Sequence, residues 1–179
     1  MSHYIPVLFA CVDASFHFPS GSELTDAHEI LSGLHDAGAL WLDTSRNWWH
    51  LFLAQTMARA QGVEGLEFLD EECITIQGKE LGTIEASIGR LLEAIRDNEI
   101  SFSDEQYARY AEIVARPEHL MRLSTIKPNP RNVDGSEQAS CGSDEQMAIS
   151  FYCFLISLKA VTGEALRKGK SLLWVVPPP

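Results

Sequence analysis

Histidine and cysteine are the residue types best able to do chemistry in this chain, and it has six of the first and four of the second. His28 and His35 are the best-looking metal pair. On a helix they would share a face, but seven residues rise about 10.5 Å. Two helical histidines that share one metal ion sit four apart, as in His-Glu-x-x-His, and Ser32 stands where His28-Glu29 would need the second. No metal site is expected. Cys11, Cys73, Cys141 and Cys153 are too far apart in sequence for the CxxC-type pairing of zinc and redox sites. Cys11, Cys73 and Cys153 each sit in an apolar segment, where a free thiol behaves as a small hydrophobe. Cys11 and His17 could form a thiol and base, but no Lys or Arg precedes Arg46, and a nucleophilic thiol needs an electropositive, partly exposed place. Gly78-Lys79-Glu80-Leu81-Gly82 departs from the phosphate-loop order. There is no GxGxxG after a strand and no GxSxG elbow. No catalytic residue and no cofactor is therefore expected, and the balance lies against an enzyme.

His50 is the more interesting histidine, because it lies inside the apolar run from Trp48 to Leu53. A buried imidazole is costly without a hydrogen-bond partner. Asp43 and Arg46 lie within two helical turns of it, so Asp43, Arg46, Trp49 and His50 form a candidate pocket. The alternative is a satisfied core histidine, or one on the exposed stripe of its helix. That alternative is preferred, because structural networks perturb histidines as functional sites do. The rings of Trp48 and Trp49 would point about 100° apart on a helix, so at most one can face a pocket.

Charge is the strongest global signal. There are 25 acidic and 14 basic residues, a net charge of -11. Docking on nucleic acid or anionic lipid requires a basic footprint, so neither partner is expected. The acids concentrate in Glu64, Glu67, Asp70, Glu71 and Glu72, and again between Asp134 and Glu145. Such a surface serves solubility, or it covers a basic protein partner.

The elements that must position these residues follow from apolar period and caps. Hydrophobic residues make up 45 % and charged residues 22 %, ordinary for one globular domain over 1–179. Leu8-Phe9-Ala10-Cys11 looks like a lipoprotein cleavage box, but no basic residue precedes it and Asp13 follows. The cytoplasm is the expected compartment. The uncharged stretch from Met147 to Leu158 falls short of the roughly 20 residues of a membrane span and reads as a buried helix. Ile5 to Val12 is apolar at both parities and predicts a central strand. A helix is expected from Leu24 to a stop at Gly38. Leu40-Trp41-Leu42 reads as a link, with N-caps at Asp43 to Ser45 for a helix reaching Ala60. Cys73 to Gln77 predicts a strand and Gly78-Lys79 a turn, with Thr83 capping a helix striped by Ile84, Ile88, Leu91, Leu92 and Ile95. Ser103 and Gln106 have capping-box spacing, and that helix should stop near Arg116, before a short turn begun by Pro117. The polar segment 127–142 predicts an exposed loop. Ser143 and Gln146 open a last helix that carries Phe151, Phe154, Leu155, Leu158 and Val161 and ends at Gly169. Ser171 to Val176 predicts a final strand. The expected fold is α+β, with about five helices around a small mixed sheet and the N- and C-terminal strands adjacent.

Phe9-Ala10-Cys11-Val12-Asp13, then Leu42-Asp43 with Arg46 and Trp49-His50-Leu51, then Leu166-Arg167-Lys168-Gly169 before a terminal strand resemble, in this order, the YfbM-like family. Its members are bacterial cytoplasmic proteins of unknown function. The family's usual Met-Gly-Met start is absent here, and the region near Lys127 is only loosely similar. The resemblance implies an α/β or α+β fold and carries no activity with it. The expected function is a non-enzymatic module that binds a basic protein, in a toxin-neutralising or regulatory role. Two alternatives stand beside it: a small-molecule binder or enzyme with a pocket near Asp43 and His50, and a structural oligomer. The oligomeric state cannot be read from the sequence.

Overall fold

The computed structural model describes residues 8–16, 40–43, 49–99, 108–128 and 143–176. Among these residues four strands form one sheet: β1 (Leu8–Val12), β2 (Leu40–Asp43), β3 (Cys73–Ile76) and β4 (Ser171–Val175), in the order β2-β1-β4-β3. The N- and C-terminal strands are adjacent, with Phe9 opposite Trp174 and Cys11 opposite Leu172. The chain is α+β, as its pattern predicts. The sheet departs from the expected mixed pairing, because every neighbouring pair is antiparallel. β1 and β3 run in the same direction and would have made a parallel pair side by side. β4 enters between them in the opposite direction, so the alternation is complete.

Both faces of β1 and β4 are buried, which accounts for their apolar residues at both parities. Leu40-Trp41-Leu42 is a strand rather than a link. Four residues are too few to display an alternation, and the edge of β1 pairs with them.

Among the described residues five helices accompany the sheet: α1 (Trp49–Ala60), α2 (Lys79–Arg96), α3 (Ala108–Ala115), α4 (Pro117–Leu123) and α5 (Asp144–Arg167). α5 is the central one. It packs on the sheet along one side and on α2, α3 and α4 along others, so its stripe of Phe151, Phe154, Leu155, Leu158 and Val161 is buried throughout. By length and composition α5 could cross a membrane, yet 67 % of its apolar window is buried inside the fold. Ser143 caps it, with its hydroxyl accepting from the Gln146 N–H at 3.2 Å. Its end is a Schellman stop, in which the Lys170 and Gly169 N–H groups donate to Ala165 and Leu166 carbonyls at 2.8 and 3.3 Å.

α2 starts at Lys79, one turn before the expected cap at Thr83. Gly78 adopts φ +66, a left-handed conformation that turns the chain from β3 straight into the helix. Pro117 stands at the first turn of α4, where a missing N–H costs nothing, and it ends α3 just before. The helix expected from Leu24, the Ser103–Gln106 cap and residues 129–142 of the expected loop lie outside the described residues.

One hydrophobic cluster draws on β1, β3, β4 and all five helices. Leu155 sits in its middle, essentially inaccessible to solvent. Leu155→Ala should therefore cost about 2–5 kcal/mol, the range for truncating a buried leucine. Denaturant melts check it, and a loss below about 1 kcal/mol would mean that this face of α5 is not core.

Candidate functional site

The acidic run Glu64 to Glu72 is held by its backbone and displays its side chains. Phe68 and Leu69, between the acids, are buried and anchor a short 3-10 turn over Glu67–Asp70. The carbonyls of this run face inward. Glu64 O accepts from the Ser87 hydroxyl at 2.6 Å, and Leu69 O accepts from the Gln55 amide at 2.8 Å. Glu71 O accepts from the Trp174 indole at 3.2 Å, and Glu72 O from the Val176 N–H at 2.7 Å. Gly65 fits where no other residue would: its φ is +89, and a Cβ would stand 2.8 Å from Thr83 Cγ2. The carboxylates of Glu64, Glu67, Asp70, Glu71 and Glu72 are consequently exposed on a fixed backbone.

Two clefts open beneath them. One, of about 290 Å³, has an apolar floor of Phe68, Ile74, Ile76 and Ile84 and a rim that includes Glu67, Glu71 and Glu80. Among the described residues no Lys or Arg lines it. The other, of about 300 Å³, is lined by Ala58, Val63 and Leu66, with Arg59, Glu64, Glu67 and Asp70 around them. Glu67 belongs to both. Its carboxylate accepts from the Gly65 N–H at 3.1 Å, and backbone N–H donation, its own first, lowers its pKa. Asp70 is engaged by Arg59 through two hydrogen bonds of 2.8 and 3.0 Å. Among the described residues no basic side chain pairs with Glu64, Glu67, Glu71 or Glu72. In the second acidic stretch, Asp144 and Glu145 pair with Arg116 and Arg122 at 2.8 and 3.6 Å, and residues 134–142 lie outside the described residues.

His50 is deep in the core, with 1 % of its surface exposed. Its ring stacks on Phe154 at 5.9 Å and tilts against Phe151 at the same distance. Burial drives its pKa down to about 3, so the ring is neutral near pH 7. Of the other candidate pocket residues, Asp43 ends β2 and Trp49 opens α1, while Arg46 lies outside the described residues. His17, His28, His35 and Cys141 also lie outside them. Cys11 is buried in β1, and burial raises its thiol pKa, which keeps it protonated and unreactive. Cys73 differs from its expected apolar setting: it is exposed at the start of β3, because its side chain points away from the face that carries Ile74 and Ile76.

Among the described residues no group of three His, Cys, Asp or Glu side chains is placed to hold a metal ion. The clefts hold carboxylates over apolar floors, an arrangement that attracts cations carrying an apolar body. The sequence signals the acids and the apolar Phe68-Leu69 between them, but nothing in it brings Glu80 to the same rim. No family model, curated protein or solved structure matches this chain.

The buried imidazole makes a test of the core. Between about pH 6.5 and about 3 the unfolded state binds a proton at His50 that the folded state excludes, so stability falls as pH falls through this window. The slope from this group is at most about 1.4 kcal/mol per pH unit. His50→Leu should flatten the pH dependence of unfolding free energy there, read from urea melts. Parallel curves for both proteins would mean that the ring already carries its proton in the fold.

Proposed function

We propose that this chain is a non-enzymatic cytosolic module that binds a basic protein through the Glu64–Glu72 surface, in a toxin-neutralising or regulatory capacity. One observation carries the reading. Four carboxylates without a basic partner among the described residues are presented on a backbone whose carbonyls are tied down at four points. A prearranged surface loses little freedom on binding, which is where association otherwise loses affinity. The shared Glu67 places the charge between two apolar-floored clefts, and burying apolar surface adds affinity that charge alone does not. The resemblance to the YfbM-like family is part of the same proposal and adds no activity to it.

The test is kinetic. Charge complementarity acts mainly on the encounter, and salt screens it over about 8 Å at physiological ionic strength. The combined substitution Glu67→Gln, Glu71→Gln and Glu72→Gln should slow association with a partner recovered from lysate more than it speeds dissociation. The effect should shrink as salt rises. Folding should hold, because exposed substitutions change stability by about 0.5 kcal/mol or less. An unchanged on-rate at low salt would leave the acidity as a solubility device.

A further inference from the structure

We propose that the outer edge of β3 takes up an extended basic segment of the partner as an added strand, with its Lys or Arg side chains lying in the Glu67–Glu71–Glu80 cleft. The inference rests on the protein-binding reading above and specifies how the partner is held.

β3 ends the sheet order, and among the described residues no strand pairs with its outer side. The ladder says which of its groups point outward. The Val176 N–H donates to Glu72 O, so residues 72 and 176 form a hydrogen-bonded pair in the register that sets Cys73 opposite Val175. Antiparallel pairs alternate, so Ile74 with Trp174 and Ile76 with Leu172 are the next bonded pairs. The N–H and C=O groups of Cys73 and Thr75 therefore face the open edge, and both residues are exposed. An exposed edge of this kind is a template for an incoming strand.

The cleft lies beside that edge and explains which strand would fit. Ile74 and Ile76 both line it, two positions that span about 7 Å along the strand. It can take side chains at i and i+2 of a neighbouring extended segment. Lys and Arg match it in both parts: an aliphatic stem lies on Phe68, Ile74, Ile76 and Ile84, and a charged head reaches Glu67, Glu71 or Glu80. A second copy of this chain pairing edge to edge would bring two such acidic rims together, and like charges oppose that.

The probe is a synthetic peptide of Lys-Val repeated four times with blocked ends, titrated into the full chain at low ionic strength. Its control has the same sequence with two adjacent central amides N-methylated, which keeps the charge and breaks the ladder on both peptide edges. Thr75→Pro removes one outward N–H and no bond to β4, so the fold should survive it. The unmodified peptide should bind and protect the Cys73 and Thr75 amides from hydrogen exchange. The N-methylated peptide should bind roughly tenfold more weakly, and so should the unmodified peptide to the Thr75→Pro chain. If that variant fails to fold, the N-methylated peptide on the unaltered chain decides. If both peptides bind alike but Glu67→Gln with Glu71→Gln and Glu80→Gln abolishes binding, the acidic surface recognises the partner and strand addition is overturned. If the carboxylate variant binds as tightly as the original, or the peptide does not bind, strand addition of a basic segment is overturned, while the protein-binding reading stands or falls on the on-rate of the lysate partner. Protection of the β3 amides without peptide, together with a dimer in sedimentation, would assign the edge to a second copy and overturn the proposal.

Discussion

A buried indole carries one polar hydrogen that has to be satisfied, and Trp174 places it on the Glu71 carbonyl at 3.2 Å. The rest of the ring is enclosed. It stacks on Phe9 at 6.1 Å and meets the edge of Phe68 at 5.1 Å. In the sheet Trp174 stands between Phe9 of β1 and Ile74 of β3. One side chain thus joins the central strands, the edge strand and the acidic segment. Removing the ring would open a large cavity and also strand Phe68, the apolar anchor of the displayed carboxylates. The surface with the strongest functional claim therefore depends on the core.

α5 provides the second constraint. A helix buried on several sides leaves few places for polar groups, and its Tyr152 and Thr162 hydroxyls both donate to backbone carbonyls. The Tyr152 hydroxyl donates to the Val114 carbonyl and ties α5 to α3. The His119 Nδ1 lies 2.6 Å from the Ile113 carbonyl, an acceptor only, so this nitrogen carries the proton. That bond holds the short α4 against α3. Neither helix is long enough to be stable alone, and both persist because they bury apolar stripes on α5. His50 belongs to the same aromatic interior, and its neutrality is a consequence of burial.

The acidic run shows why display and anchoring coincide. Its carbonyls would be exposed acceptors in a loose loop. Here they are consumed by Gln55, Ser87, Trp174 and Val176, so the backbone cannot swing and the carboxylates are left outward. Gly65 permits the close approach to α2 that brings Glu80 beside Glu67 and Glu71. Charge alone would suit solubility. Here the charge is fixed above an apolar floor, beside the edge of β3 that pairs with no strand among the described residues.

Much of this architecture is legible in the residues because it is local. The apolar period of α5, its Ser143 cap and Gly169 stop, the two-faced strands β1 and β4 and the break at Pro117 all follow from interactions within a few positions. The five acids of the candidate surface are equally plain. Other features depend on distant groups. β2 exists because β1 offers it an edge, and the antiparallel order because β4 slides between β1 and β3. α2 starts at Lys79 because Gly78 turns directly out of β3. His50 reads in the sequence as either a pocket residue or a core residue, and only the packing of α1 against Phe151 and Phe154 buries it. The cleft is assembled from three separate segments, so its third carboxylate could not be foreseen. By itself the sequence determined most of the described helices and strands, β2 excepted, and where the charge lies, since those are set by near neighbours. The places of β2 and β3 in the sheet, the edge of β3 that has no partner strand among the described residues, and the joining of Glu80 to Glu67 and Glu71 were decided by the tertiary structure alone, because they depend on contacts between residues far apart in the chain.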